Sequence, residues 1–289
     1  VKGTHNSYHM EPDFAFDASH RYTQPPLEVQ LERDGVRALE LDIHRDPFTG
    51  EVLVFHIFLI DPKTRCDTLE KCLTTVRDWS DANPDHLPIF IWIEPKDIFL
   101  GYPGTDLGPV DTVIRDVLGD RVFTPDDLQG AYGSPRERVE AEGWPPLDEV
   151  RGRVLFILLV TDARSQAYTR DFTSLAGRAM FARAEADRYR EPWSVVAKIN
   201  DPTQTDAIRA ALDADLLVAS NTCAADQPDA ACEAELAAGL ENGVHMMHDD
   251  IPAPAAGRDY HLRFPGDAVA RCNPATRPEG CEGIEVAAP

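Results

Sequence analysis

The chain has 289 residues, 43% of them hydrophobic, and 28 Lys and Arg against 50 Asp and Glu give a formal net charge of -22. That is ample for a packed core in one large domain or two small ones, and no run of about 18 apolar residues is present to span a membrane. The acidity excludes nucleic acid and electrostatic adsorption to an anionic bilayer, so any lipid contact must rest on apolar side chains or a bound cation.

Residues 1–8, VKGTHNSY, read as the end of a strand running into a loop. Strict alternation aims His5 and Asn6 at opposite faces, so both serve one site only if the strand ends there. Residues 10–24 are polar with Phe14, Phe16 and Tyr22, an irregular loop, and 26–35 form a short helix stopped by Gly35. The strand at 36–46, VRALELDIHRD, then sets Glu40, Asp42 and His44 on one face and Leu39, Leu41 and Ile43 on the other. After a turn at 46–50, residues 51–60 repeat the pattern: Val52, Val54 and His56 oppose Leu53, Phe55 and Ile57.

Residues 66–83 are an amphipathic helix with Leu69, Cys72, Leu73, Val76 and Trp79 at helical spacing. A third strand at 88–97 places Phe90, Trp92, Glu94 and Lys96 opposite Ile89, Ile91 and Ile93. A rim loop (98–108), a helix (112–118) and a proline- and glycine-rich stretch (123–146) follow, and then the unbroken apolar strand 153–160 of a sheet buried on both faces. Weaker strand signals at 179–185 and 195–200, a helix at 205–212, a strand at 215–220, a helix at 231–242 and a last strand at 244–250 complete the series. About eight strands alternate with helices, with no linker or repeat to divide them, which predicts a single α/β domain, a (β/α)8 TIM-type barrel over 1–289, with 252–289 wrapping the surface as a tail. In such barrels the chemistry gathers at the C-terminal ends of strands. Asn6, Glu40, Asp42, His56 and Glu94 are all assigned to such ends.

The six cysteines fall as close neighbours, Cys66 with Cys72, Cys223 with Cys232 and Cys272 with Cys281. Six allow 15 pairings, and these spacings suit three small disulfide-closed loops and lack the tight clustering of a zinc site. Disulfides place the protein in an oxidising compartment, hence secreted. No leader precedes Val1, so a removed signal peptide or a chain that begins late is expected.

GTHNSYH at 3–9, LELDIHRD at 39–46, the histidine of VFHIF at 54–58 and IEPKD at 93–97 together resemble the catalytic region of phosphatidylinositol-specific phospholipase C. The likeness is strongest to its secreted bacterial, Ca²⁺-dependent branch, and it is specific in the N-terminal third, where five residues match in order and spacing. Further along, the likeness is mainly the barrel-like alternation. The resemblance implies one Ca²⁺ held by Asn6, Glu40, Asp42 and Glu94, an oxygen-only donor set that suits a hard cation. It implies His5 as base toward the inositol hydroxyl and His56 as acid toward diacylglycerol, with the two roles open to exchange, and a cyclic inositol phosphate as product. The substrate would be phosphatidylinositol in membranes or micelles, met by a monomeric, peripheral enzyme.

Lys96 and Lys198 are candidates for phosphate or inositol contacts. His44 is assigned to a supporting hydrogen bond, His245, His248 and Asp249 are weaker substrate candidates, and His9, His20, His86 and His261 are assigned to the surface. Ile57, Phe58, Leu59, Ile98, Phe99, Leu100 and Tyr102 flank the expected mouth, as a lipid-facing rim or as loop packing. One rival is a glycerophosphodiester phosphodiesterase, whose first histidine is usually followed by arginine; here Asn6 follows. Another is a secreted barrel that binds Ca²⁺ and a ligand without turnover, which would need no paired histidines.

Overall fold

The structure, a computed structural model, describes residues 1–96 and 101–276 and the backbone of 285–286. Eight parallel strands close on themselves: β1 (Lys2–Thr4), β2 (Val36–Arg45), β4 (Ile89–Pro95), β5 (Val154–Leu158), β6 (Met180–Ala184), β7 (Val196–Lys198), β8 (Leu217–Cys223) and β9 (Met246–Asp249). β1 pairs with both β9 and β2 and so seals the barrel. Helices α1 (Leu27–Glu32), α2 (Leu69–Ala82), α3 (Gly108–Leu118), α4 (Pro125–Gln129), α5 (Pro135–Glu142), α6 (Ala163–Tyr168), α7 (Thr205–Leu212) and α8 (Asp229–Asn242) lie in the connections. The expected TIM-type barrel is therefore present.

The side-chain alternation read from the sequence divides the core into two layers. Leu39, Leu41, Ile43, Ile89, Ile91 and Ile93 pack outward against Leu69, Cys72, Leu73 and Val76 of α2. Trp92, Leu155, Ile157, Phe181, Ala219 and Met246 fill the interior. Thr68 caps α2 by accepting from the Lys71 amide, which satisfies one of the free donors of its first turn. The seam is tight at Gly3, where a Cβ would stand 2.9 Å from Ala38 Cβ and 3.0 Å from the Met247 carbonyl, so β1 threads between its neighbours only as glycine.

Two expectations change. Residues 51–60 are not a barrel strand: only Val52–Val54 (β3) is extended, and it pairs antiparallel with β2. The turn at 46–50 is too short for a parallel crossover, which needs a dozen or more residues, so the chain folds straight back as a hairpin. Within the proline- and glycine-rich stretch 123–146, Thr124 and Ser134 cap two short helices, each opening with proline. His9 and His86 are buried rather than on the surface; His86 is held by Ser80 Oγ at 2.7 Å and the Leu87 carbonyl at 2.6 Å.

The Cys66–Cys72 and Cys223–Cys232 disulfides are formed. Cys272 is also disulfide-bonded, while Cys281 and the rim residues Ile98, Phe99 and Leu100 lie outside the described residues. No helix among the described residues is long and apolar enough to cross a membrane. In the segment after Ile251, Tyr260, Leu262 and Phe264 pack into the outer core, and Val269 and Ala270 meet Leu87.

Candidate active site

β2 and β4 run in register, with Glu40 opposite Trp92 and Asp42 opposite Glu94. The inward alternation of two neighbouring parallel strands thus stacks three carboxylates at the C-terminal mouth. One oxygen from each of Glu40, Asp42 and Glu94 lies within 4.8 Å of the others. Glu40 and Asp42 are almost fully buried, and Asp42 Oδ1 has no hydrogen-bond partner.

Two lysines face this cluster. Lys198, the last residue of β7, is 2.5 Å from Glu40 Oε2, and Lys96 is 2.9 Å from Asp42 Oδ2 and 3.1 Å from Glu94 Oε2. Burial pushes the Glu40 carboxyl up, but Lys198, His5 and His248 outweigh it and hold Glu40 well below the usual carboxylate range. Asp42 goes the other way: burial raises it, Lys96 offsets only part of that, and Glu94 and Glu40 push it further. Burial lowers Lys96, and its two carboxylate partners more than reverse this, leaving it raised.

β1 ends at Thr4, and Asn6 takes a left-handed backbone with φ of 43°. That turn breaks the alternation, so strand geometry no longer obliges His5 and Asn6 to face opposite ways. Asn6 is buried, and its Oδ1 accepts from the Tyr8 hydroxyl at 3.3 Å; Tyr8 in turn lies beside Asp42. His5 Nδ1 is 2.8 Å from Asp250 Oδ1, and its Nε2 is 3.6 Å from Glu40 Oε1. A carboxylate only accepts, so Nδ1 carries the proton in the neutral ring and Nε2 is left as the acceptor. Burial lowers His5, but Asp250 and Glu40 outweigh it and raise the imidazole to about 9. His5, Glu40, Glu94 and Lys198 line one cavity of about 370 Å³, with Arg183, Asn200 and Asn221 on its other walls.

His56 is outside that lining. It follows β3, and its Nδ1 is 2.8 Å from Asp61 Oδ2, an oxygen that His9 Nε2 also approaches at 2.8 Å. Burial raises Asp61, and the hydrogen bonds from His56 and His9 outweigh it, bringing it down to about 2. Tyr22 links the two clusters: its ring stacks on His9 with centroids 4.3 Å apart, and its hydroxyl lies beside Asp250 and Asn6.

The remaining candidates do not line the cavity, although His248 Nδ1 stands 3.6 Å from Glu40 Oε2. His44 is buried, stacked on Phe55 and hydrogen-bonded to the Phe55 carbonyl at 2.9 Å. His248 is fully buried against Trp92, His245 accepts from the Val218 amide, and Asp249 is spent on Thr222, Tyr260 and the Ile251 amide. The sequence reading missed Asp250 and Asp61. Asp250 was signalled by the acidic end of its strand, where the left-out neighbour of Asp249 is the one that faces His5. Asp61 is a lone acid in a loop and carries no such signal.

Residues 51–274 match the family described as phosphoinositide phospholipase C, Ca²⁺-dependent. The chain belongs to this family. The matched span begins after His5, Asn6, Glu40 and Asp42, so these four rest on the geometry above. Among solved structures, this phospholipase is similar to a Ca²⁺-dependent phosphatidylinositol-specific phospholipase C from Streptomyces antibioticus, at 22% identity and a TM-score of 0.63 over 86% of this chain and 92% of that one. It is similar also to a calcium-dependent phosphoinositol-specific phospholipase C from a Pseudomonas species, at 20% identity and 0.62 over 89% and 90%. No curated protein sequence matches. Family membership makes this phospholipase a phosphodiesterase and sets aside the glycerophosphodiester and non-catalytic alternatives.

Proposed function

We propose that this phospholipase cleaves phosphatidylinositol to diacylglycerol and a cyclic inositol phosphate by attack of an inositol hydroxyl on the neighbouring phosphorus. The observation that carries the reading is His5, backed by Asp250 and sharing one cavity with Glu40 and Glu94 of the three-carboxylate cluster, while His56 has its own carboxylate in Asp61.

His5 is the base. Asp250 fixes its tautomer, and a cation held by Glu40 would offset one of the two carboxylates that keep the imidazole protonated, leaving Nε2 to take the hydroxyl proton. His56, oriented by Asp61 through Nδ1, is the acid that returns a proton to the departing glycerol oxygen. Lys96 and Lys198 supply positive charge beside the phosphate position.

The donor set fits Ca²⁺: three convergent carboxylates, one with a buried unpartnered oxygen, and the Asn6 amide linked to them through Tyr8. Bound by Asn6, Glu40, Asp42 and Glu94, a single Ca²⁺ would lower the attacking hydroxyl's pKa and offset charge on the phosphoryl oxygens.

Lipid contact rests on apolar side chains, as the charge requires. Phe14, Phe16, Leu59 and Ile60 are exposed on the loops that carry His20, Tyr22, His56 and Asp61, and Phe48 on the turn between β2 and β3; the Lys63–Asp13 ion pair at 2.6 Å ties the two loops together. Tyr102 is buried and does not join this rim. The disulfides favour a secreted enzyme, and we take it to act peripherally and as a monomer.

The test is to incubate the protein with phosphatidylinositol vesicles, with and without Ca²⁺, and identify the water-soluble product by ³¹P NMR. A cyclic diester that requires Ca²⁺ supports the reading. Glycerophosphoinositol or phosphatidic acid as the product overturns it.

A further inference from the structure

The group around Asp61 holds more imidazole than catalysis needs. Orienting His56 takes one carboxylate oxygen, yet His9 Nε2 and His56 Nδ1 both reach Asp61 Oδ2 at 2.8 Å, and His20 Nδ1 points at the same oxygen from 3.5 Å without forming a hydrogen bond. The rings of His20 and His56 meet edge to face with centroids 4.9 Å apart. Asp61 is fully buried, and its Oδ1 has no partner at all. An ordinary hydrogen-bond network accounts for His9 and His56 but leaves His20 Nδ1 and Asp61 Oδ1 unused.

We propose that His9, His20, His56 and Asp61 form a second cation site, separate from the carboxylate cluster and selective for a borderline-soft divalent ion such as Zn²⁺. Three imidazoles and one carboxylate match the nitrogen-rich, four-coordinate preference of Zn²⁺ and are a poor shell for Ca²⁺, which takes six to eight oxygens. The ligand atoms of His9, His56 and Asp61 lie within 4.8 Å of one another, and a tetrahedral shell with bonds of about 2.1 Å sets its ligands about 3.4 Å apart, so the cluster closes on an ion by shifts of an ångström or so. His20 supplies the fourth donor by a small ring movement. The site is closed on the His9 and Asp61 side and open on the other, where His20 and His56 are 16% and 17% exposed. Binding displaces two protons, those with which His9 Nε2 and His56 Nδ1 each donate to the acceptor-only Asp61 oxygen, and a His56 ligated through Nδ1 can no longer become the imidazolium. If His56 is the acid of the reaction proposed above, Zn²⁺ is therefore an inhibitor that Ca²⁺ does not displace.

Binding is read without reference to activity. Co²⁺, as a spectroscopic substitute, is titrated into the Ca²⁺-saturated protein, and Zn²⁺ is then used to displace it. One equivalent should give the intense visible bands of a four-coordinate, nitrogen-ligated ion, lost on Zn²⁺ addition. Removing even a supporting partner of a metal ligand costs about 10–100-fold in affinity, so His20→Ala should weaken Co²⁺ binding at least about tenfold. His9→Gln should do the same, and retained Ca²⁺ binding certifies that each variant is folded. Only weak bands of a six-coordinate ion, or equal affinity in wild type and His20→Ala, would overturn the site. Tight Zn²⁺ binding with undiminished hydrolysis would uphold the site and count against His56 as the acid.

Discussion

Asp250→Asn isolates the partner of the proposed base. The substitution keeps the shape of the side chain but replaces an acceptor-only carboxylate, 2.8 Å from His5 Nδ1, with an amide that can donate. Two consequences follow. In the cation-free protein, the rise of His5 from 6.5 to about 9 loses one of its two carboxylate supports, so its titration midpoint falls toward or below 6.5 as burial takes over. At face value the gap corresponds to about 3 kcal/mol in favour of the imidazolium; because the side chain is 34% exposed, solvent screening leaves about 1 to 2 kcal/mol. A raised folded-state pKa stabilises the fold fully below 6.5, and that stabilisation is lost as pH rises through about 9. Wild type and variant should therefore differ more in unfolding midpoint at pH 6 than at pH 10. In catalysis, an amide that donates to Nδ1 forces the proton onto Nε2, the wrong tautomer for a base. Turnover should drop by about 10²–10⁴, the usual contribution of a positioned acid or base, with little change in Ca²⁺ affinity. The assays are a ring-proton NMR titration of His5 and initial rates on phosphatidylinositol. A variant that keeps turnover within about twofold, or a His5 that titrates where the wild type does, refutes the reasoning.

Chelation should abolish hydrolysis and Ca²⁺ restore it, and Asp42→Asn should weaken Ca²⁺ binding by at least about tenfold in calorimetry; full turnover in excess chelator would contradict the donor set. Lys96→Met removes an ammonium group that contacts both Asp42 and Glu94, so Ca²⁺ should bind more tightly to the variant, and unchanged affinity would show that the lysine does not compete for those oxygens. Replacing Cys223 and Cys232 together with serine opens a loop of sequence separation 9 and should cost about 2–3 kcal/mol in urea unfolding; an unmoved midpoint would show that the crosslink does not restrain the unfolded chain. Leu59→Asp removes an apolar side chain, 74% exposed, whose transfer into lipid is worth about 1.5–3 kcal/mol. Hydrolysis of vesicles should fall about tenfold or more, while a monomeric soluble substrate should be cleaved as before; equal loss on both would remove Leu59 from the lipid-facing surface.

The barrel and half of its site were legible because they depend on local periodicity. Alternation along 36–46 and 88–97 is enough to place Glu40, Asp42 and Glu94 inward and their isoleucine and leucine neighbours outward, and the parallel register then brings the three acids together. Local spacing likewise paired Cys66 with Cys72 and Cys223 with Cys232. Other features needed the closed tertiary structure, because they join residues far apart in the chain. Asp250 meets His5 only after β9 has closed on β1, 245 positions away, and Lys198 reaches Glu40 across the barrel over a separation of 158. The direction of β3 and the gathering of His9, His20 and His56 on Asp61 were likewise decided by how a hairpin and two loops fold over the rim. A side-chain pattern fixes which face a residue takes; only barrel closure fixes which distant side chain it meets there.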